Sequence, residues 1–332
     1  MKGTPNTARS TNRSTNRSTN RSTNRTTSRR RRELRREVPS TVGILADPGD
    51  FAAMRGYRSF TFGHHEDTYA DYLHHVDDLL RSLAGQGIHT TVALFDPEEY
   101  ADYCTEHGLD PDSAGTRTRF TAELGGRAAR LPYTGQPIDE LVPLLVDASL
   151  RQATWEYAGA LLSGAGSCAD CGDDIGRASF ERAAAILRRL VAGAGPGHHH
   201  FVCSVPAEHE QLLAVLHAEG PAVPCDPAGL TASEGTDGPL LTEGRDALEF
   251  VTVLATGLAL GGAGGLVLRS TTEGFRDRVH GWRLDRGRLV PLTAAAVFDA
   301  YCTDADTGDP VAPEPGVEYC PGFEVDLPGP HH

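Results

Sequence analysis

Lysine is almost absent from this sequence. Lys2 is the only lysine among 332 residues, and the other basic side chains are Arg or His. Phosphate-binding P-loops, the strand lysine of protein kinases and the Schiff bases of pyridoxal enzymes all depend on that amine. The sequence therefore excludes these classes of enzyme.

Other catalytic signatures are missing as well. No asparagine follows Asn24, which removes Cys-His-Asn catalysis, and no Gly-x-Ser-x-Gly elbow is present. The HEQLL sequence at His209 lacks the second histidine that a zincin helix needs. Triads built from residues scattered along the chain are not excluded, because sequence spacing does not reveal them.

The formal net charge of −14 is the average of two unlike segments. Residues 1–40 carry 12 Lys and Arg against two acids, whereas the remainder carries 19 against 43. The basic segment repeats Ser-Thr-Asn-Arg between residues 10 and 25 and has no apolar periodicity, which predicts a disordered tail over 1–40. It also lacks the apolar core of a signal peptide, so we expect a cytoplasmic protein.

Two interpretations of this tail stay open. As a functional arm, its arginines would hold nucleic acid by counterion release, without base specificity because no aromatic residue interleaves them. Alternatively, the repeat is an expansion or a misassigned start that adds nothing to the fold. The acidic remainder is expected to repel nucleic acid and anionic membranes, so any nucleic-acid contact would run through the tail.

Residues 41–135 are predicted to form an α/β unit that ends in a loop. Two similar segments, 41–52 and 91–101, each place an apolar strand before Asp-Pro and the start of a helix. The apolar spacing between them predicts an amphipathic helix. Residues 109–136 are polar and Gly-rich, which predicts a loop or linker.

Acidic side chains follow both predicted strands of this unit. Ligands of α/β sheets bind just beyond the carboxyl ends of the strands, so Asp47, Asp96 and Glu99 are candidate catalytic residues, with Asp50 beside them. Paired carboxylates hold Mg²⁺ or act as a general acid and base. Capping of the two helices explains the same residues without a ligand.

Residues 136–320 are predicted to form a domain of helices and antiparallel strands, followed by a tail over 321–332. The uncharged stretch 250–268 approaches the length of a membrane span, but it contains five glycines. We therefore predict a buried helix, turn and strand there, and no membrane insertion. The fold class expected for the whole chain is α+β, with an N-terminal α/β unit, central helices and a C-terminal antiparallel sheet.

One pair of cysteines has the spacing of a metal knuckle. Cys168-Ala-Asp-Cys171 places two thiols on a tight turn, and the following glycine lets backbone N–H groups approach the sulfurs. Seven cysteines in a chain without a signal peptide fit a reducing compartment. The hypothesis is a structural Zn²⁺ held by Cys168, Cys171 and two of Cys203, Cys302 and Cys320. Thiols without a metal, or a redox pair, are the alternatives.

Three consecutive histidines, His198–His200, are expected to lie apart from this knuckle. A helix over 175–192 would carry the chain about 27 Å away, at about 1.5 Å per residue. The preceding Gly-Pro-Gly predicts that the histidines form an exposed polar turn.

Seven stretches carry a resemblance to known sequences, and they are 55–62, 89–101, 151–157, 168–172, 202–206, 281–284 and 300–304. Together they resemble an uncharacterised family of actinobacterial (actinomycete) proteins over residues 54–320. The predominance of Arg over Lys, with abundant Ala and Gly, also fits a high-GC genome. The resemblance implies a cytoplasmic protein, and it brings no activity and no catalytic residue with it.

Two hypotheses for function follow. The first is an interaction or regulatory module with a structural zinc knuckle, whose partner is a protein or a small molecule. The second is a small-molecule hydrolase or transferase that uses the strand-end carboxylates.

Overall fold

A computed structural model describes residues 40–62, 66–208, 210–220, 244–304 and 307–325. Most of the predicted tail, with His209 and Cys225, lies outside these residues. Clustering of contacts divides the chain into two units, Met1–Leu150 (unit 1) and Arg151–His332 (unit 2). The described residues form helices and mixed sheets, which confirms the predicted α+β class.

Unit 1 is built around a three-stranded sheet with the order β1-β2-β3. Strands β1 and β2 are parallel, and β3 is antiparallel to β2. The elements in chain order are β1 (Ser40–Ile44), α1 (Pro48–Met54), α2 (Tyr69–Gly85), β2 (Thr90–Leu94), α3 (Pro97–His107), α4 (Ala114–Arg127), β3 (Arg130–Pro132) and α5 (Ile138–Ser163), which continues into unit 2.

The two Asp-Pro steps begin helices α1 and α3, as predicted. Asp47 and Asp96 are the N-cap residues, and the prolines that follow open the helices. Proline is favoured there because its fixed φ suits a helix and its missing N–H would have no partner in the first turn. Gly108 ends α3 in the left-handed conformation, with φ of 61°.

The core of unit 1 lies between the sheet and its helices. Ile44 and Val92 from the strands are fully buried against Leu80 of α2, Tyr100 of α3 and Phe120 of α4. Beside this core, five aromatic rings contact one another, namely Phe51, Phe60, Phe62, Tyr69 and Tyr72. Aromatic burial of this kind fixes α1 and α2 beside the carboxyl end of β1.

The prediction of a loop over 109–136 was wrong. Helix α4 and strand β3 occupy most of that segment. Thr116, Phe120 and Leu124 recur every four residues and are buried on one face of the helix. The polar composition of the other face masked this stripe, and burial of the stripe against the core stabilises a helix whose sequence propensity is weak.

Unit 2 contains a six-stranded sheet with the order β5-β4-β6-β7-β8, in which β9 pairs in parallel with β7. The elements are α6 (Ile175–Ala194), β4 (Gly197–Pro206), β5 (Gln211–Gly220), α7 (Arg245–Leu260), β6 (Gly264–Thr271), β7 (Asp277–Asp285), β8 (Arg288–Pro291), α8 (Ala294–Tyr301) and β9 (Val317–Cys320). The hairpin of β7 and β8 turns at Arg286 and Gly287, both with positive φ.

One face of this sheet packs against helices. Helix α7 contacts α6, β4 and β5, and its apolar residues are buried over nearly its whole length. A Cβ at Gly257 would lie 2.7 Å from Leu284 Cδ1, so this glycine lets α7 approach the sheet closely. The uncharged stretch is thus a buried helix, turn and strand, as predicted. In the described residues, no helix is long and apolar enough to span a membrane.

His198, His199 and His200 lie in β4 and not in an exposed turn, so that prediction was wrong. The turn sequence ends as β4 begins at Gly197, and β4 pairs with both β5 and β6, which satisfies its backbone groups. His199 lies on the helical side and is buried. Its ring nitrogens hydrogen-bond to Ser270 Oγ at 3.0 Å and to the Gly195 carbonyl at 2.8 Å.

The chain after β9 folds back onto the sheet. The ring of Phe323 meets the buried Trp282 edge-on, with centroids 5.0 Å apart, and the Trp282 indole N–H donates to the Phe323 carbonyl at 2.9 Å. Helix α8 covers part of the other face, where Gly281 leaves room for Val297. Residues 321–325 therefore contribute to the packing of unit 2.

Candidate functional site

The strand-end aspartates of unit 1 are both occupied in capping. Asp47 Oδ1 accepts the N–H groups of Gly49 at 2.6 Å and Asp50 at 3.0 Å. Asp96 Oδ1 accepts those of Glu98 at 2.7 Å and Glu99 at 3.3 Å. The Glu99 side chain is exposed, and its backbone N–H is the group that takes part in the cap. Capping accounts for the side chains of Asp47 and Asp96 but not for that of Glu99, and the catalytic roles of all three stay predictions.

Asp50 is the carboxylate with the most unusual surroundings at this end of the sheet. Its Oδ2 accepts the Ala46 N–H at 3.1 Å. Burial raises the pKa of Asp50, the Ala46 N–H opposes that shift, and the charges of Asp47, Asp96 and Glu98 raise it further. The structure therefore brings Asp47, Asp50 and Asp96 together, as expected for the ends of adjacent parallel strands.

A tyrosine hydroxyl adjoins this carboxylate cluster. The Tyr69 hydroxyl lies 2.9 Å from the Ala46 carbonyl and 3.1 Å from the Leu45 carbonyl. Burial raises the pKa of Tyr69, and the charges of Asp47 and Asp50 add to the effect. Tyr69 stays protonated at neutral pH and is a hydrogen-bond donor at the edge of the cluster.

The knuckle cysteines lie on the loop between α5 and α6. A bridge between Ser167 and Asp174 closes this loop, and the Cys168 N–H donates to the Asp173 carbonyl at 2.8 Å. The Asp173 N–H lowers the pKa of the Cys171 thiol, but desolvation and hydrogen bonds with Cys168 and the Asp173 carboxyl outweigh it, so that this pKa is raised. The tight turn predicted from the spacing is present, and it holds the two sulfurs close to each other.

The other predicted zinc ligands are distributed over the sheet and α8. Cys203 is buried on the helical side of β4, where desolvation raises its pKa to about 12, and Cys302 is buried at the end of α8. Cys320 lies in β9 opposite His280. Among the described residues, no three or more His, Cys, Asp or Glu side chains are grouped to hold a metal ion. The structure thus shows no zinc site there, and zinc stays a prediction.

A hollow of about 650 Å³ lies in unit 2 beside the knuckle loop. Helix α5 lines it at intervals of three and four residues, and the first turns of α6 form the facing wall. The lining residues are Trp155, Glu156, Gly159, Leu162, Ser163, Asp174, Gly176, Arg177, Phe180 and Thr252. Aromatic and aliphatic walls with a few convergent polar groups are the usual composition of a small-molecule site.

The walls of this hollow are held in defined positions. The Trp155 indole N–H donates to Thr252 Oγ1 at 3.2 Å, which orients the ring. Glu156 Oε1 accepts from Gln152 Nε2 at 2.7 Å, and Asp174 Oδ1 caps α6 through the Arg177 N–H, also at 2.7 Å. Sequence reasoning missed this site because its residues come from three helices, although Trp155 and Leu162 share one helical face.

A second hollow, of about 480 Å³, lies over the sheet face of unit 2 that is turned away from α6 and α7. Its lining includes His198, His200, His217, Glu219 and Arg269. Sequence reasoning missed this cluster because it treated the histidines as a turn. Side chains two residues apart in a strand lie on the same face. This rule would have placed His198 with His200, and His217 with Glu219, on one face of the sheet.

Part of the chain is similar to a known protein family. A family model described as Domain of unknown function (DUF8829) matches residues 29–136, which include the strand-end carboxylates of unit 1. No curated protein matches the chain. No solved structure matches it. The two hollows of unit 2 lie outside the matched segment.

Proposed function

We propose that this chain is a regulatory binding protein whose unit 2 takes up a small organic ligand in the hollow between α5 and α6. The observation that supports it is the apolar wall of Trp155, Leu162 and Phe180, in a hollow whose lining also includes the charged residues Glu156, Asp174 and Arg177. A ring stacked on an aromatic wall gains dispersion and hydrophobic energy. Charged groups at the rim then select among ligands of similar shape.

The charges indicate the chemical class of the ligand. The Arg177 guanidinium suits a carboxylate or a phosphate, because it presents paired N–H donors to two oxygens. The Glu156 carboxylate suits an ammonium or another N–H donor. The proposed ligand is therefore an aromatic compound that carries both an anionic group and an amino group.

The test is calorimetric titration of the full chain with a panel of aromatic acids, aromatic amines and aromatic amino acids. Compounds with both groups are expected to bind most tightly. Arg177→Gln should weaken their binding about 10-fold or more, because a hydrogen bond to a charged group contributes about 1.5–3 kcal/mol. Arg189→Gln, on an exposed position of the same helix, is the matched control. Binding that is equally tight in both variants, or absent for every compound, contradicts the proposal.

A second candidate function is hydrolysis or group transfer at the carboxylate cluster of unit 1. Asp50 favours it, because a carboxyl whose pKa is raised by burial and by neighbouring carboxylates is suited to act as a general acid. Asp50→Asn should abolish turnover of any phosphate or acyl ester that the protein hydrolyses. Asp102→Asn, which changes an exposed residue of α3, should leave turnover unchanged.

Location and origin are proposals that rest on composition. The six cysteines that the structure describes form no disulfide, which supports a reducing compartment such as the cytoplasm. The predominance of Arg over Lys supports the proposed actinomycete origin.

A further inference from the structure

Three histidines and a glutamate stand in two opposing pairs on neighbouring strands of unit 2. His200 of β4 lies directly opposite His217 of β5, and His198 lies opposite Glu219. Because side chains alternate along a strand, all four project from the sheet face that α6 and α7 do not cover. They line the hollow of about 480 Å³ on that face.

The two central rings are almost parallel. The imidazoles of His200 and His217 stack with centroids 4.5 Å apart and an angle of 3° between their planes. A tetrahedral Zn²⁺ with bonds of about 2.0–2.1 Å holds two nitrogens roughly 3.3 Å apart. Metal binding therefore requires the rings to turn until one nitrogen of each faces the same point, and the exposed position of His217 leaves room for its ring to turn.

Further possible ligands lie two residues away along the same strands, on the same face of the sheet. The side chains of His198 and Glu219 are 78% and 83% exposed, and His198 Nδ1 lies 3.7 Å from Glu219 Oε1. Side chains this exposed reorient at little cost. In the described residues no three such groups are arranged to hold a metal ion, so binding requires these side chains to turn.

Arg269 borders the site, but its charge is already offset. Its Nη atoms donate to both carboxylate oxygens of Glu314 at 2.8 and 3.0 Å, and its Nε donates to Asp277 Oδ2 at 2.9 Å. Two carboxylates around one guanidinium leave a local excess of negative charge. A divalent cation over His200 and His217 therefore meets no uncompensated positive group from β6.

We propose that His200 and His217 bind a divalent transition-metal ion of the zinc type, with Glu219 or His198 and water completing the coordination. Imidazole nitrogen with one carboxylate is a donor set that suits Zn²⁺. The site is separate from the proposed ligand hollow and from the cysteine knuckle. Its existence does not depend on either.

The test is calorimetric titration of the full chain with Zn²⁺, after treatment with a chelator. The wild type is expected to bind Zn²⁺ more tightly than His217→Gln by at least about tenfold, since even loss of an outer-shell partner costs that much. Glu219→Gln should weaken binding by a smaller factor. His74→Gln, which changes a 79% exposed histidine of α2, is the matched control and should match the wild type.

Cobalt distinguishes this site from the cysteine knuckle. Co²⁺ bound by imidazole and carboxylate gives visible ligand-field bands, whereas Co²⁺ bound by thiolate adds an intense sulfur charge-transfer band in the near ultraviolet. Visible bands that His217→Gln removes would support the proposal. Equal binding of Zn²⁺ to wild type and His217→Gln, or cobalt spectra with only a thiolate signature, would overturn it. Stacked histidines with a purely structural role would give that first result.

Discussion

Gly176 is the residue at which a single methyl group most directly tests the packing of unit 2. It lies in the first turn of α6, and a Cβ there would stand 2.5 Å from the Leu162 carbonyl oxygen and 3.1 Å from the Leu162 carbonyl carbon. Both of these atoms belong to the backbone of α5, so no side-chain rotation relieves the overlap. Gly176→Ala therefore requires the two helices to separate where they line the hollow.

The expected size of the effect follows from two opposing contributions. Overpacking that shifts backbone costs about 1–3 kcal/mol. The higher helix propensity of alanine offsets at most about 1 kcal/mol of this destabilisation, and less at a helix end. We expect Gly176→Ala to lower the free energy of unfolding of unit 2 by about 1–2 kcal/mol. For a unit of this size, each kcal/mol corresponds to a fall in Tm of about 2–4 °C.

Tryptophan emission during urea unfolding measures this change locally. The chain has two tryptophans, and both Trp155 and Trp282 belong to unit 2. Gly159→Ala is the matched control, because a Cβ at that position of α5 meets nothing within 4 Å. It should stabilise unit 2 by about 0.5–1 kcal/mol through helix propensity. If Gly176→Ala stabilises the protein as Gly159→Ala does, the described contact between α5 and α6 is incorrect.

Three further predictions concern the rest of the chain. Thr68→Ala removes a capping box at the start of α2 and should cost unit 1 about 1 kcal/mol in urea unfolding followed by circular dichroism, whereas the exposed Thr105→Ala should cost less. The pKa of Asp50 is raised in the folded protein, so the stabilising contribution of its protonated form is complete below the ordinary value of 3.8 and is lost as pH rises through the folded pKa. Asp50→Asn should therefore make unit 1 more stable at neutral pH. A pH profile of unfolding that is the same in both proteins would contradict this. The zinc hypothesis predicts one equivalent of zinc in chelator-washed protein and its loss in Cys168→Ser, and a content below about a tenth of an equivalent would reject it.

Local chemistry made much of the fold predictable. The Asp-Pro steps at 47–48 and 96–97 predicted both helix starts correctly, because an N-cap bonds only to residues that follow it closely in the sequence. The turn at 285–287 was predictable because Gly287 readily adopts the positive φ that a two-residue hairpin needs. Helix α4 was not predictable from the sequence. Its apolar stripe, which includes Phe120 and Leu124, is narrow, and the helix is stabilised by packing of this stripe against the core.

The candidate sites depended on contacts between distant segments. Asp47 and Asp96 could be placed together because parallel strands align their carboxyl ends. The hollow beside Trp155 requires three helices to meet, and no spacing along the chain specifies where a gap is left between them. The pairing of His200 with His217 depends on the register of β4 and β5. The connection between the two strands sets this register, and the sequence alone does not predict it.

The outer edge of β7 is shared by two short strands, and this division bears on aggregation. β8 pairs with residues 282–285 and β9 with residues 277–280, one antiparallel and the other parallel. Unpaired strand edges recruit strands from other molecules, and a long free edge promotes intermolecular sheet growth. Removal of residues 317–325 would expose half of this edge. Strand β9, with only four residues, thus protects half of this edge of β7 from pairing with a strand of another molecule.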